Sequence, residues 1–189
     1  MTWRARHFQY STYHCNAPME IRTYRETDLM DIVKLFHDTV HKINIRDYSS
    51  EQVNAWATGR VDMDAWNRSL LQHHTFIATD GCDVLGFGDI DHSGYLDRLY
   101  VHHACQRQGI ATALCHKLES SVDTDKIIVH ASITARPFFE KRGYKIIREQ
   151  SVDRCGISLK NYVMELSRSC SESRWEVLTL SLLWKLRIL

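Results

Sequence analysis

The sequence lacks the features that mark membrane, secreted and nucleic-acid-binding proteins. No apolar run approaches the roughly 20 residues that span a bilayer. The first residues, MTWRARHFQYSTYHCNAP, contain neither an unbroken apolar core nor a small-residue cleavage site. Charge of one sign is also missing, because 24 basic and 23 acidic residues leave a formal net charge of +1. We therefore expect a soluble, cytoplasmic protein whose partners include neither nucleic acid nor a membrane.

Paired cysteines and a metal-ligand motif are also absent. The six cysteines form no C-x-x-C pair, which argues against a disulfide framework and a zinc ribbon and indicates reduced thiols. His37 and His41 are four residues apart, as zinc ligands often are, but a third ligand and the glutamate of an H-E-x-x-H motif are missing. We therefore predict that the protein holds no metal.

The 189 residues, 44% of them apolar, suffice for one domain with a substantial core. Changes in pattern divide the chain into an N-terminal extension (1–18), a domain (19–166) and a C-terminal tail (167–189) with apolar residues at alternate positions. We expect the tail to pack on its own domain or on a neighbouring chain, in preference to a membrane surface. A homodimer through the sheet edge or this tail is a further prediction.

The spacing of apolar residues predicts the order of helices and strands. A short strand near Ile21 precedes a helix of three to four turns from Leu29, and capping patterns indicate two short helices between residues 49 and 71. The period then changes to two, which predicts an antiparallel meander of three strands, at 75–79, 84–90 and 95–101.

The second half of the chain alternates helix and strand. We predict a helix from Gly109 to about Ser121, a buried strand at 126–131, a helix at 134–142, and closing strands at 144–151 and 157–166. Together these elements predict a mixed α/β fold. Its sheet should contain six to seven mostly antiparallel strands, with helices on both faces.

The segment Gln106-Arg-Gln-Gly-Ile-Ala111 lies where a predicted strand leads into a helix. The start of a helix presents unpaired backbone N–H groups and the positive end of the helix dipole, and a glycine there lets a ligand approach the backbone. Such a junction suits a phosphate group. A lone glycine in such a loop more often binds nothing, so the spacing alone leaves both interpretations open.

Two segments resemble those of the GNAT superfamily of N-acetyltransferases. The stretch from Leu99 to Ala111 resembles its acyl-CoA signature, Gln/Arg-x-x-Gly-x-Gly/Ala after a strand, with Gln106, Gly109 and Ala111 on the defining positions. Thr134-Ala-Arg-Pro-Phe-Phe-Glu-Lys-Arg-Gly-Tyr144 is similar to the family's Ala-x-x-Phe-Tyr-Glu-x-x-Gly-Phe segment. The resemblance covers about residues 19–166, and it implies acetyl-CoA as co-substrate and a sheet splayed between the strands at Leu99 and Val129 to admit it.

The resemblance also implies the residues that bind this co-substrate. Backbone N–H groups from Arg107 to Thr112 would hold the pyrophosphate, with Gln106 at the rim, and the main chain at Leu99 to Val101 would pair with the pantetheine arm. The backbone N–H of Val101 would stabilise the oxyanion. The implied cofactor site comprises Leu99, Val101, Gln106, Arg107, Gln108, Gly109, Ile110, Ala111, Thr112 and Phe139.

The implied chemistry needs a base, because only an unprotonated amine attacks a thioester. Candidates near the strand ends of the meander are Asp89, Asp91, His92, Tyr95 and Asp97. Tyr95 and Asp97 share strand parity with Val101 and are our first choices, although Asp97 could instead be a surface carboxylate paired with Arg98. His102 is a reserve candidate.

The proton donor departs from the family pattern, because Phe139 stands where many members carry a tyrosine that protonates the thiolate. Tyr100 or a water could supply this proton, or the thiolate could leave unassisted. The sequence thus predicts an N-acetyltransferase acting by direct attack in a ternary complex on a primary amine of a small molecule or a protein. The alternative is a noncatalytic acyl-CoA-binding or interaction module, which Phe139 favours.

Overall fold

The computed structural model describes residues 18–168. Predictions for the N-terminal extension and the apolar tail fall on residues outside this range, apart from Pro18, Ser167 and Arg168, so the domain boundaries stay predictions. Within the described range, no helix combines the length and apolar character that crossing a membrane requires.

Seven strands and five α-helices form residues 18–168. The strands are β1 (Glu20–Thr23), β2 (His74–Thr79), β3 (Val84–Ile90), β4 (Tyr95–Val101), β5 (Lys126–Ser132), β6 (Lys145–Arg154) and β7 (Ile157–Ser167). The helices are α1 (Leu29–Lys42), α2 (Ser50–Trp56), α3 (Met63–Gln72), α4 (Ile110–Ser120) and α5 (Arg136–Lys141). The meander β2–β4 and the helix after Gly109 are therefore confirmed.

The strands form one sheet in the order β1-β2-β3-β4-β5-β7-β6. All neighbours are antiparallel except β4 and β5, which run parallel and pair only at Tyr95 with Ile128 and Leu96 with Val129. Beyond these two pairs the strands separate. The predicted fold class, a mixed and mostly antiparallel sheet with helices on both faces, is confirmed.

A hydrophobic core lies on each face of the sheet. On one face α4 buries Leu114 and Leu118 completely against the sheet, and on the other α1 buries Ile32 and Val40. Each such side chain contributes roughly 1.5–3 kcal/mol through burial. The two cores hold α1 and α4 on opposite sides of β4, so that the point where β4 and β5 separate lies between them.

A β-bulge in β4 determines which of its side chains share a face. The pairing of β4 with β3 shifts by one residue at Asp97. Because side chains alternate along a strand, the extra residue reverses the faces of the residues before it. Leu96 therefore packs in the same core as Val101, whereas Tyr95 faces the opposite side together with Tyr100. The predicted shared parity of Tyr95 and Asp97 with Val101 is wrong for this reason.

Strand β5 is buried on one face only. Ile127, Val129 and Ala131 are buried, whereas the alternating residues Ile128 and His130 are exposed. The prediction of a buried strand is therefore half correct. On the second face only two residues of β5 pair with β4, and Ile128 is exposed although it is one of them.

Two glycines on β3 allow α4 to pack closely against the sheet. A Cβ atom at Gly88 would lie 2.8 Å from Cδ1 of Leu118 and 3.0 Å from the carbonyl oxygen of Arg98. We expect Gly88→Ala to lower the free energy of unfolding by about 1–3 kcal/mol, because the helix or the strand must move. Chemical denaturation would measure this loss. In a cycle with Leu118→Val the losses should be less than additive, and full additivity would contradict the packing argument.

Candidate active site

The separation of β4 from β5 opens a cavity of about 830 Å³, here called the slot. Nine of the ten predicted cofactor-binding residues line it, and Gln108 does not. Three of the predicted catalytic residues, Asp97, Tyr100 and Val101, also line the slot. Residues far apart in the sequence therefore meet where the resemblance predicts a cofactor.

The β4 edge of the slot carries backbone groups that point away from β3. The backbone N–H of His102 donates to the Leu85 carbonyl at 2.8 Å, so these two residues form a hydrogen-bonded pair. Along an antiparallel ladder, such pairs alternate with pairs that share no hydrogen bond. Leu99 and Val101 therefore form pairs with β3 that share no hydrogen bond, and their N–H and C=O groups face the slot. There the Val101 carbonyl accepts from Gln106 Nε2 at 2.6 Å and from Thr39 Oγ1 at 3.1 Å. The Leu99 peptide groups and the Val101 N–H are thus placed to pair with an extended ligand.

The loop before α4 forms the far end of the slot. Gly109 is the N-cap of α4 with φ of +82°, and a Cβ atom added there would meet nothing within 4 Å. Arg107 also has a positive φ, of 62°, which is a strained conformation for a residue other than glycine. The first N–H groups of α4 have no partners within the helix and carry the positive end of its dipole. The residues present therefore fit a pyrophosphate group.

A second cavity of about 480 Å³ lies on the face of the sheet covered by α1 and α2. Much of its wall is aromatic, from Phe36, Tyr48, Trp56, Trp66, Tyr95 and Tyr100. Five residues line both this cavity and the slot, and we call them the junction: Trp56, Asp97, Tyr100, His130 and Ser132. A molecule in the second cavity would meet a group held in the slot at this junction.

The predicted base candidates differ in position. Tyr95 and Asp97 line the second cavity. Asp89 is fully buried outside both cavities, and Asp91 accepts backbone N–H groups within the β3–β4 turn. The His92 ring contacts the ring of another histidine, with centroids 4.8 Å apart. Among these five residues, the structure brings only Tyr95 and Asp97 to the cavities.

The two tyrosines predicted to be catalytic, Tyr95 and Tyr100, are protonated at neutral pH. Burial, reinforced by the nearby Asp97 carboxylate, raises the pKa of Tyr95 to about 12. Burial also raises the pKa of Tyr100 well above its usual range. Both phenols can donate a hydrogen bond, but neither is a ready proton acceptor at pH 7.

His102, the reserve base candidate, lines neither cavity. Its Nδ1 accepts a hydrogen bond from the backbone N–H of Ala104 at 3.3 Å, which caps a short 3₁₀ turn. Burial, with a smaller contribution from neighbouring His103, lowers the pKa of His102 to about 4. His102 is therefore a neutral capping residue at pH 7.

Phe139 is 2% exposed and packs edge-on against Phe138 and Tyr144. The hydroxyl of Tyr144 donates to Glu119 at 3.0 Å, away from the slot. Consequently α5 presents an aromatic ring to the slot at the position where many family members carry a tyrosine hydroxyl.

A buried ionic network beside the second cavity was not foreseen. His73 Nδ1 donates to Asp89 Oδ2 at 2.7 Å, and Arg98 Nη1 lies 3.2 Å from the same oxygen. Arg98 also pairs with Asp97 at 3.1 Å and stacks over Trp66, so the alternative pairing foreseen for Asp97 is present. The hydrogen bond with Asp89 raises the pKa of His73.

This network contains the one group of three potential metal donors found within residues 18–168, namely His73, Asp89 and Asp97. Arg98 already pairs with both carboxylates, so a cation of the protein itself offsets part of their charge. His37 and His41 stack at 4.3 Å, but they have no third donor in the described chain.

His130 is a junction residue that sequence reasoning missed. Its Nδ1 lies 3.3 Å from Oη of Tyr95. The prediction of a buried strand over Lys126-Ile-Ile-Val-His-Ala131 hides the histidine on its open face. The available signal was a polar residue, His130, between the apolar Val129 and Ala131.

Comparisons with known proteins agree with this architecture. The family model described as "Acetyltransferase (GNAT) domain" matches residues 44–166. The chain is similar to the Uncharacterized N-acetyltransferase YafP of Escherichia coli K12, at 32% identity over 147 residues that cover 77% of this chain and 94% of that protein.

Solved structures show the same fold. A GCN5-related N-acetyltransferase from Rhodopseudomonas palustris superposes with a TM-score of 0.76 at 29% identity, covering 80% of this chain and 96% of that one. The PaiA N-acetyltransferase from Thermoplasma acidophilum, solved with coenzyme A, superposes with a TM-score of 0.63 at 16% identity, covering 79% and 99%. The slot, the loop before α4 and these matches lead to one conclusion: the chain belongs to the GNAT acetyltransferase family.

Proposed function

We propose that the protein transfers the acetyl group of acetyl-CoA to a primary amine of a small molecule or a protein, by direct attack in a ternary complex. One observation carries this proposal. The slot, which has a free strand edge and a helix N-terminus suited to phosphate, meets a second cavity at the junction. Two reactants bound in the two cavities would touch there without a covalent enzyme intermediate.

In this proposal the slot binds acetyl-CoA through main-chain groups. The N–H groups from Arg107 to Thr112 hold the pyrophosphate, with Gln106 at the rim, and Leu99 to Val101 pair with the pantetheine amides. The Gln106 side chain fixes the end of β4 through the Val101 carbonyl, which holds this edge of the slot in place. The coenzyme A bound to the PaiA protein supports this assignment by analogy of fold.

The reaction itself makes three demands on the chain. The amine must lose a proton, the carbonyl oxygen must be stabilised as it becomes negative, and the thiolate must leave. The Val101 N–H faces the slot and would donate to this oxygen. Tyr100, a protonated phenol at the junction, would donate to the thiolate, whereas Asp97 and Tyr95 would contact the amine from the second cavity.

A noncatalytic acyl-CoA-binding module is the second candidate, and the burial of Phe139 in place of a tyrosine favours it. A coenzyme A thiol is acidic enough to leave without a proton donor, so the phenylalanine does not exclude turnover. A cytoplasmic location and a homodimer also stay predictions.

Turnover separates the two candidates. Thiol release from acetyl-CoA would be followed with a panel of alkyl, aryl and polyamine substrates and with peptides bearing free α-amines. Amine-dependent thiol release above the rate without amine is expected for at least one class. Binding of acetyl-CoA without release for any amine would support the noncatalytic module.

A further inference from the structure

We propose that His130 is the general base that removes the proton of the attacking amine, and that Tyr95 positions its ring. This inference rests on the proposed acetyl transfer. It assigns the proton-accepting role to a residue of β5, whereas the sequence indicated only residues of the β2–β4 meander and the loop that follows it.

The first observation is the place of His130 in the sheet. Pairing between β4 and β5 ends at Leu96 and Val129, and His130 is the next residue on β5, with Asp97 next on β4. His130 therefore lies at the closed end of the slot, where the strands begin to part. Its side chain lines both the slot and the second cavity. An amine in the second cavity would meet a thioester in the slot beside this ring.

The second observation is how the ring is held. Tyr95 Oη lies 3.3 Å from Nδ1, and the two rings meet at 72° with centroids 5.1 Å apart. When Nδ1–H donates to Oη, Nε2 keeps its lone pair. Tyr95 is held on the second-cavity side by the bulge at Asp97. In the tautomer with its proton on Nδ1, this contact holds the ring so that Nε2 is available as a base.

The charges around the ring keep it neutral. The ionisable groups that face it are Tyr95 and Asp97 from β4 and Arg148 from β6. Partial burial, followed by the positive charge of Arg148, lowers the pKa of His130, and Asp97 opposes this effect. At pH 7 the imidazole is therefore unprotonated and able to accept a proton.

The other junction residues are less suited to accept this proton. The Asp97 carboxylate is already shared with Arg98 at 3.1 Å. Tyr100 carries a phenolic proton at neutral pH, and Trp56 and Ser132 are not bases. His130 is the one junction residue that combines an unprotonated nitrogen with contact to both cavities.

The proposed proton transfer is balanced. As the amine nitrogen bonds to the acetyl carbon, its N–H bond breaks and the proton moves to Nε2. The C–S bond then breaks, and its electron pair leaves with the thiolate. The imidazolium returns its proton to water through its exposed edge, so no other reactant is needed.

The test compares His130→Gln with the matched control His116→Gln, which changes an exposed histidine of α4 outside both cavities. We expect His130→Gln to lower kcat about 100-fold with the best amine of the panel. It should also remove the acid limb of the kcat–pH profile. Acetyl-CoA affinity in calorimetry should stay within twofold of the parent protein, and His116→Gln should change none of these.

The positioning role of Tyr95 has its own readout. Tyr95→Phe removes the acceptor of Nδ1–H and should lower kcat about threefold to tenfold. Because that contact stabilises the imidazolium, the acid limb should move to lower pH. Added imidazole should partly restore His130→Ala.

Three results would overturn the inference. One is a His130→Gln variant with the parent's kcat and acid limb. Another is a His130→Gln variant that no longer binds acetyl-CoA, which would place the residue in cofactor binding. The third is a parent protein that binds acetyl-CoA but turns over no amine, which overturns the acetyl-transfer proposal and this inference with it.

Discussion

Replacing Gly109 with tryptophan is expected to weaken acetyl-CoA binding at least about 100-fold. Gly109 begins α4 with a φ of +82°, and the space next to its Cα is empty for 4 Å. That space is where the pyrophosphate would approach the N–H groups of the helix start. An indole there would fill it, and losing the contacts of a doubly charged group exceeds the roughly 2.7 kcal/mol that a 100-fold change requires.

Isothermal titration calorimetry with acetyl-CoA would measure this loss, and Gly81→Trp is the matched control. Gly81 also has a positive φ, of 91°, and open space around it, but it lies in the β2–β3 turn outside both cavities. Both variants carry the same backbone strain, about 1–2 kcal/mol. Equal affinity of the parent and the Gly109 variant for acetyl-CoA would show that the cofactor does not bind at this loop. Equal weakening in both variants would attribute the effect to strain.

Asp89→Ala is expected to lower the free energy of unfolding by about 3–5 kcal/mol, the largest stability change that we predict. Asp89 is fully buried, and its Oδ2 receives His73 and Arg98. Its removal leaves the Arg98 guanidinium, only 15% exposed, with Asp97 as its remaining carboxylate. The loss therefore reflects a buried charge that has lost one of its two carboxylate partners more than the strength of the Asp89 pair itself.

Denaturation of Asp89→Ala, Arg98→Met and the double variant would test this explanation. If the uncompensated arginine causes the loss, Asp89→Ala should cost at least 1 kcal/mol less in the Arg98→Met background. Asp89→Asn, which keeps an acceptor of the same shape, should cost less than Asp89→Ala. Additive losses would contradict the explanation.

The pH dependence of the same pair has a defined sign. Because Asp89 raises the folded-state pKa of His73 above 6.5, the stability from this bond is present below that pH, down to the range in which Asp89, whose own pKa is raised by burial, takes up a proton. It is lost as pH rises through the raised pKa of His73. The difference in unfolding free energy between the parent and Asp89→Ala should accordingly shrink above neutral pH.

Local patterns were sufficient to predict the meander and the loop before α4. The period changes from helical to alternating near residue 75, as expected where strands begin, and β2 to β4 follow this change closely. Gly109 could be identified because a helix start with a close backbone approach favours glycine. These features depend on neighbours within a few residues, so the sequence carries them directly.

The features that the sequence did not reveal depend on distant pairings. The bulge at Asp97 is a property of two strands in register, and one extra residue was enough to reverse the predicted face of Tyr95. His73 and Asp89 are 16 residues apart, and neither neighbourhood indicates the other. His130 acquires its position only because β4 leaves β5 one residue earlier.

The early separation of β4 from β5 also divides the sheet into two parts that are weakly joined. Strands β1–β4 and β5–β7 are joined within the sheet by the pairing of only two residues on each side. Such a seam is where native-state hydrogen exchange is expected to show the two halves opening independently. A ligand that pairs with β4 while it contacts β5 would join the halves, and its binding energy would appear as slower exchange on both sides. Coenzyme occupancy would then set how far the domain unfolds as a single unit.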